Sequence, residues 1–164
     1  MRNIVLIGMP GSGKSTIGVI LAKSLLMDFS DTDLMIQKHH SSSLCDIIAS
    51  CGINGFLEIE NRVIAEADFS NCVVATGGSA VYGADAMKRL KENGIIIYLD
   101  VKPAELEKRI SNIHTRGIAM KDGTSLAELY SERYPIYKNY ADITIDCTDL
   151  TPEQCVDEIT KHIL

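Results

Sequence analysis

The chain has 164 residues, 46% hydrophobic and 23% charged, with a net charge of −6. That length suits one domain with a sizeable core, and no apolar run is long enough to span a bilayer. The acidic balance argues against a nucleic-acid surface, which needs a basic stripe, so neither nucleic acid nor membrane is expected as a partner.

An apolar run from Ile4 to Ile7 reads as the first strand. It leads into Gly8-Met9-Pro10-Gly11-Ser12-Gly13-Lys14-Ser15, the phosphate-loop pattern GxxxxGK[ST]. A helical pattern through Ile17, Ile20, Leu21 and Leu25 follows, so the motif has the strand–loop–helix context it requires. Gly11, Ser12 and Gly13 let the backbone wrap phosphate oxygens with inward N–H groups. The helix start adds partial positive charge. Lys14 would neutralise the β- and γ-phosphates, and Ser15 would offer its hydroxyl to Mg²⁺, with Thr16 beside it. The chain opens straight into this strand, so no secretory leader is expected. Five cysteines without a CxxC pair fit a reduced cytoplasm.

Met27 to Asp31 reads as the second strand, ending in Asp31-Thr32-Asp33. A period of two would put Asp31 and Asp33 on one side. One acid would then stand near Mg²⁺ and the other near a phosphoryl acceptor; a helix N-terminus would also use these residues. His39-His40 is read as solvated surface. A helix from Leu44 to Ser50 closes at Cys51-Gly52. In the next helix Phe56, Ile59, Val63, Ile64 and Ala67 share a face with Glu60, an acid that needs a partner, a cavity or a place at the rim.

Asn71 to Thr76 reads as a buried parallel strand. Gly77-Gly78-Ser79 lies at its C-terminal end, where ligands of open α/β sheets bind; a tight turn is the plainer reading. A helix from about Ala84 to Glu92 is expected to cap at Asn93-Gly94, followed by a strand from Gly94 to Asp100 and a helix opened by Pro103. Residues 112–124 have little apolar periodicity and carry Arg116. A mobile lid bearing an arginine suits phosphoryl transfer. Ser125 to Glu128 is a capping box. Arg133 shares an apolar face with Leu126, Leu129 and Tyr137, so it needs an anionic partner, either a substrate group or a structural acid. A last strand near Asp142–Asp146 precedes a helix begun by Thr151-Pro152.

Taken in order, these motifs resemble the shikimate kinases along essentially the whole chain. The resemblance rests on the phosphate loop, Asp31-x-Asp33, Phe56-x-x-x-Glu60, Gly77-Gly78, the lid Arg116 and the segment from Glu132 to Tyr137. It implies an α/β fold of the P-loop kinase type, a three-layer α/β/α sandwich with a five-stranded parallel sheet and a lid. It implies one domain over residues 1–164, with an acceptor-binding segment at about 33–62 and a lid at about 112–124. The implied reaction is shikimate plus ATP to shikimate 3-phosphate plus ADP, with Mg²⁺, in aromatic amino acid biosynthesis. By resemblance Lys14 and Arg116 stabilise the transferring phosphoryl group, and Ser15 and Asp31 serve the metal. Asp33 takes the acceptor hydroxyl, Gly77 and Gly78 lie against the acceptor, and Arg133 grips its carboxylate. Arg109 and Pro152 sandwich adenine.

Two positions depart from the family pattern. Leu57 stands where the family has an arginine that pairs with Glu60, and Ser79 stands where it has a third glycine. Losing one charge-assisted contact to a carboxylate costs about 1.5–3 kcal/mol. Glu60 would lose its partner, and the balance of Asp33 and Glu60 against Arg133 would suit a neutral polyol or an amine-bearing acceptor. The expectation is therefore a monomeric cytoplasmic kinase acting on a small hydroxylated metabolite. The alternatives are a different acceptor or a non-catalytic ATP-binding regulator.

Overall fold

The computed structural model describes residues 2–110 and 116–164. The first part of the expected lid, including Asn112 and Thr115, lies outside the described residues. Five strands, β1 (Asn3–Ile7), β2 (Asp28–Asp31), β3 (Cys72–Ala75), β4 (Gly94–Asp100) and β5 (Ile143–Asp146), form one sheet in the order β2-β3-β1-β4-β5. All four pairings are parallel, with Val5 opposite Val74 on one side and Ile96 on the other. The helices are α1 (Lys14–Leu25), α2 (Thr32–His40), α3 (Leu44–Glu66), α4 (Ala84–Glu92), α5 (Pro103–Arg109), α6 (Leu126–Tyr140) and α7 (Pro152–Ile163). This is the expected α/β/α sandwich.

The central strands are apolar on both sides because helices cover both faces. Ile4, Val5, Leu6, Ile7, Val73 and Val74 are all buried. A second, smaller cluster joins Ile36 of α2, Ile47 and Phe56 of α3, and Ala119 from the segment after Arg116. It fastens α2 and α3 to the segment after Arg116. Gly52 interrupts α3 with φ 73° and ψ 175°; this is the break expected at Cys51-Gly52, and glycine meets it without steric cost.

The strand bounds at Gly94 and Asp31 are those expected, but the helix ends differ. Gly94 opens β4 opposite Asn3, and Asn93 has φ −129° rather than a left-handed cap. A Cβ at Gly94 would meet the Leu90 carbonyl and Val5, so close packing, not a turn, requires glycine there. β2 stops at Asp31, which caps α2; strand periodicity therefore does not relate Asp31 to Asp33. The capping boxes at Ser125–Glu128 and Thr151–Gln154 both form.

At the end of β4 the ring of Tyr98 stacks on Tyr137 of α6, with centroids 5.0 Å apart. The Tyr98 and Tyr130 hydroxyls donate to Asp100 Oδ1 at 3.0 and 2.8 Å, and Lys102 Nζ reaches Asp100 Oδ2 at 2.7 Å. This network ties α6 to the sheet edge from which the candidate site is built.

Candidate active site

The loop after β1 curls over the C-terminal end of the sheet. Gly13 precedes α1 with φ 93° and brings no capping side chain, so the first-turn N–H groups are presented as an anion site. Lys14 Nζ is folded back, donating to the carbonyls of Gly8 and Met9 at 2.8 Å each and to Ser12 Oγ at 3.3 Å. Burial pushes the Lys14 ammonium down to about 8; Asp33 opposes this, while Arg116 and Arg133 add to it. A cation held this way gains from a phosphate partner.

Ser15 Oγ donates to Asp31 Oδ2 at 2.6 Å. Asp31 Oδ1 accepts the backbone N–H groups of Asp33 and Leu34 at 2.9 and 3.4 Å. Asp31 is thus a helix cap and a partner of Ser15 at once, whereas Asp33 sits in the first turn of α2. The helix N-terminus, not a shared strand face, places the two acids. Ser15 and Asp31 supply two hard oxygen donors, and no cluster of three or more His, Cys, Asp or Glu side chains occurs among the described residues. That set fits Mg²⁺, which keeps several waters and takes its remaining oxygens from phosphate. The Asp33 carboxyl is raised, first by burial and then by Asp31, against the pull of Lys14 and Arg116.

One cavity brings together Gly11, Gly13, Lys14, Ser15, Thr16, Asp33, Gly77, Gly78, Ser79, Arg116 and Arg133. It joins the phosphate-loop residues to Asp33, Gly77, Gly78 and Arg133. Gly77 N–H donates to Thr32 Oγ1 at 3.0 Å, which holds β3's exit loop against α2. The Tyr137 hydroxyl donates to the Gly78 carbonyl at 2.7 Å. Arg133 is 1% exposed. Its Nη2 donates to the Ala119 carbonyl at 2.8 Å, its guanidinium lies over the Tyr82 ring at 5.4 Å, and its Nε has no partner among the described residues. Of the two expected partners, the structural acid is not found: among the described residues Arg133 forms no ion pair, and a carbonyl and a ring face hold the cation.

Glu60 is also 1% exposed. It is not left alone, as the Leu57 substitution had suggested: Ser79 Oγ donates to its Oε1 at 2.6 Å. The two departures in the sequence therefore belong together, a hydroxyl taking the place of a cation. Leu57 itself does not line the main cavity. It packs on the Phe56 cluster and faces a neighbouring hollow with Ile53, Tyr82 and Leu129.

Away from the cavity, Arg109 is braced by Glu105 at 3.0 Å and reaches the carbonyls of Cys147 and Thr148 at 3.5 Å. Those carbonyls lie in the loop that leads to Pro152, which is exposed at the start of α7. Sequence reasoning passed over Thr32, Tyr82 and the role of Tyr137. Tyr137 alone carried a signal: it lies four residues after Arg133, on the same helical face.

The family model described as shikimate kinase matches residues 10–164. A shikimate kinase of Clostridium botulinum is 39% identical over 168 residues, spanning 100% of this chain and 99% of the relative. One from Persephonella marina is 37% identical over 164 residues, spanning 99% of both. The solved shikimate kinase of Acinetobacter baumannii in complex with shikimate superposes with a TM-score of 0.88 at 30% identity, covering 99% of this chain and 93% of that one. The Aquifex aeolicus enzyme gives 0.80 at 30% identity, covering 97% and 94%.

Proposed function

We propose, for a chain that belongs to the shikimate kinase family, that it transfers the γ-phosphoryl group of ATP to a shikimate hydroxyl, giving shikimate 3-phosphate and ADP. It is a phosphotransferase with an alcohol group as acceptor, it uses ATP with Mg²⁺, and it serves aromatic amino acid biosynthesis. The observation that carries this reading is the single cavity that joins Lys14 and Ser15 to Asp33 and Arg133. The polyol, amine and regulator alternatives are not favoured: the full-length relatives are shikimate kinases, and the phosphate-side residues are all present.

In this reading the loop N–H groups of Gly11 to Thr16 hold the phosphates, and Lys14 turns from its carbonyl partners to them. Mg²⁺, held by Ser15 and Asp31, would neutralise phosphate charge. Arg116 supplies positive charge from the lid, excluding water as it closes. Asp33 orients the acceptor hydroxyl and accepts its proton, a task suited to a carboxyl raised above its ordinary range. Arg133 pairs with the acceptor carboxylate, while Gly77, Gly78 and Ser79 shape the pocket wall with Glu60 behind it, and Leu57 lies outside the pocket in the neighbouring hollow. Arg109 and Pro152 hold adenine. Residues 1–164 act as one domain, with an acceptor arm at about 33–62 and a lid at about 112–124. No described helix is long and apolar enough to cross a membrane. The working form is a cytoplasmic monomer that binds no nucleic acid.

The test is ADP release with ATP and Mg²⁺, with and without shikimate, beside a panel of polyols and hydroxylated amines. Stimulation by shikimate is expected. Turnover on another acceptor with none on shikimate would overturn the substrate assignment.

A further inference from the structure

Two acids are buried among the described residues, Glu60 and Asp100. Asp100 is met by an ammonium and two phenol hydroxyls. Glu60 receives one hydroxyl, from Ser79, and no cation bonds to it. Its second oxygen, Oε2, is buried with no partner among the described residues. That oxygen lies against the cavity wall at Gly77. A Cβ built on Gly77 would come within 2.7 Å of Glu60 Oε2 and 2.6 Å of Asp33 Oδ1. The two carboxyl groups therefore converge on one backbone position.

The charges facing Glu60 come from three helices: Asp33 of α2, Lys14 of α1 and Arg133 of α6, with the Tyr137 hydroxyl also on α6. Burial and Asp33 favour the neutral acid. Ser79, Arg133 and Lys14 favour the carboxylate. In the reaction proposed above, an acceptor carboxylate occupies Arg133 and the phosphates of ATP occupy Lys14. Each offsets a positive charge that had favoured ionised Glu60, which leaves the field of Asp33 unopposed in the pocket. A buried carboxylate left with like charges and no cation takes a proton.

We propose that Ser79 and Glu60 form a positioning pair for the acceptor, in which Glu60 becomes a neutral acid as the acceptor enters, so that acceptor binding takes up a proton. Ser79 anchors Oε1, the proton from solvent goes to Oε2, and no bond of the acceptor changes. The neutral pair admits an anionic acceptor beside Asp33 without a second arginine. This rests on shikimate being the acceptor.

Calorimetry of shikimate binding at pH 8, in phosphate and in Tris, tests it, because these buffers differ in ionisation heat. Before binding, Glu60 titrates at about 7 and is mostly ionised at pH 8. The two heats should therefore differ by about half to one proton taken up per shikimate. Glu60→Gln should bind shikimate and lose the buffer dependence. Ser79→Ala removes a bond that favours the carboxylate, so its uptake curve should move to higher pH and the uptake at pH 8 should fall. A role for Ser79 and Glu60 in packing alone would move neither quantity. Wild-type binding with equal heats in both buffers overturns the inference alone, as does a Glu60→Gln protein that keeps the buffer dependence. No binding of shikimate in either buffer overturns the substrate reading and this inference with it.

Discussion

Replacing Glu60 with glutamine should make the protein more stable at pH 8, although it exchanges one member of a buried hydrogen-bonded pair. Glu60 titrates at about 7 in the folded chain against an ordinary value of 4.5. Between those values the folded state binds more protons than the unfolded state, so stability falls as pH rises through that window and the loss is complete above pH 7. A displacement of this size corresponds to about 3 kcal/mol at pH 8 and about 1 kcal/mol at pH 5. Glutamine matches the shape, stays neutral and can still accept from Ser79 Oγ, so it escapes this cost. Urea unfolding of both proteins at pH 5 and pH 8 gives the comparison directly. Groups other than Glu60, such as Lys14, are shared and largely cancel in the difference. The variant should gain about 3 kcal/mol at pH 8, a rise of roughly 6–12 °C in Tm for a domain this size, and about 1 kcal/mol at pH 5. An equal or lower stability of Glu60→Gln at pH 8 would refute the assignment of Glu60 as a strained, cation-free acid.

Tyr137→Phe removes the 2.7 Å bond to the Gly78 carbonyl but keeps the stack on Tyr98; it should cost about 1–2 kcal/mol of stability by thermal or urea unfolding, and raise the shikimate KM. Arg116→Ala should lower kcat by about a thousandfold while shifting the melting temperature little, because this side chain is exposed; steady-state kinetics beside a thermal melt separates the two. Leu57→Arg puts a guanidinium three residues before Glu60 on the same helix, within pairing distance. It should lower the shikimate KM by roughly tenfold with less change in kcat, and a KM that stays the same or rises counts against an acidic acceptor at Arg133.

The sheet was legible because its signals are local. Ile4 to Ile7 followed by a glycine loop, and the apolar run at Val73 and Val74, could belong only to covered parallel strands. The phosphate loop was legible for the same reason: its chemistry is written in eight consecutive residues. The acceptor side was harder. The Asp31 and Asp33 pair carried two signals, strand periodicity and a helix N-terminus; the second holds, because a cap needs only one residue to leave the strand and periodicity does not register that step. Ser79 and Glu60 lie nineteen residues apart on different elements, so each looked like an isolated oddity. Only the fold of α3 against β3's exit loop shows that one answers the other. The Ala119 carbonyl, as a partner for Arg133, could not be read at all, since every residue has a carbonyl and only tertiary placement selects one.

The tyrosine stack has an optical consequence. The chain has six tyrosines and no tryptophan, so phenol emission is not drained into an indole acceptor. Tyr137 lends its hydroxyl to Gly78 at the pocket wall while its ring lies on Tyr98, and Tyr98 shares Asp100 with Tyr130. A ligand that shifts Gly78 therefore perturbs the proton sharing of one fluorophore and the ring contact of a second. Near-ultraviolet emission from the unmodified protein becomes a direct gauge of occupancy at the pocket, requiring neither a coupled enzyme nor a label. A single tryptophan introduced elsewhere would meet an empty spectral window.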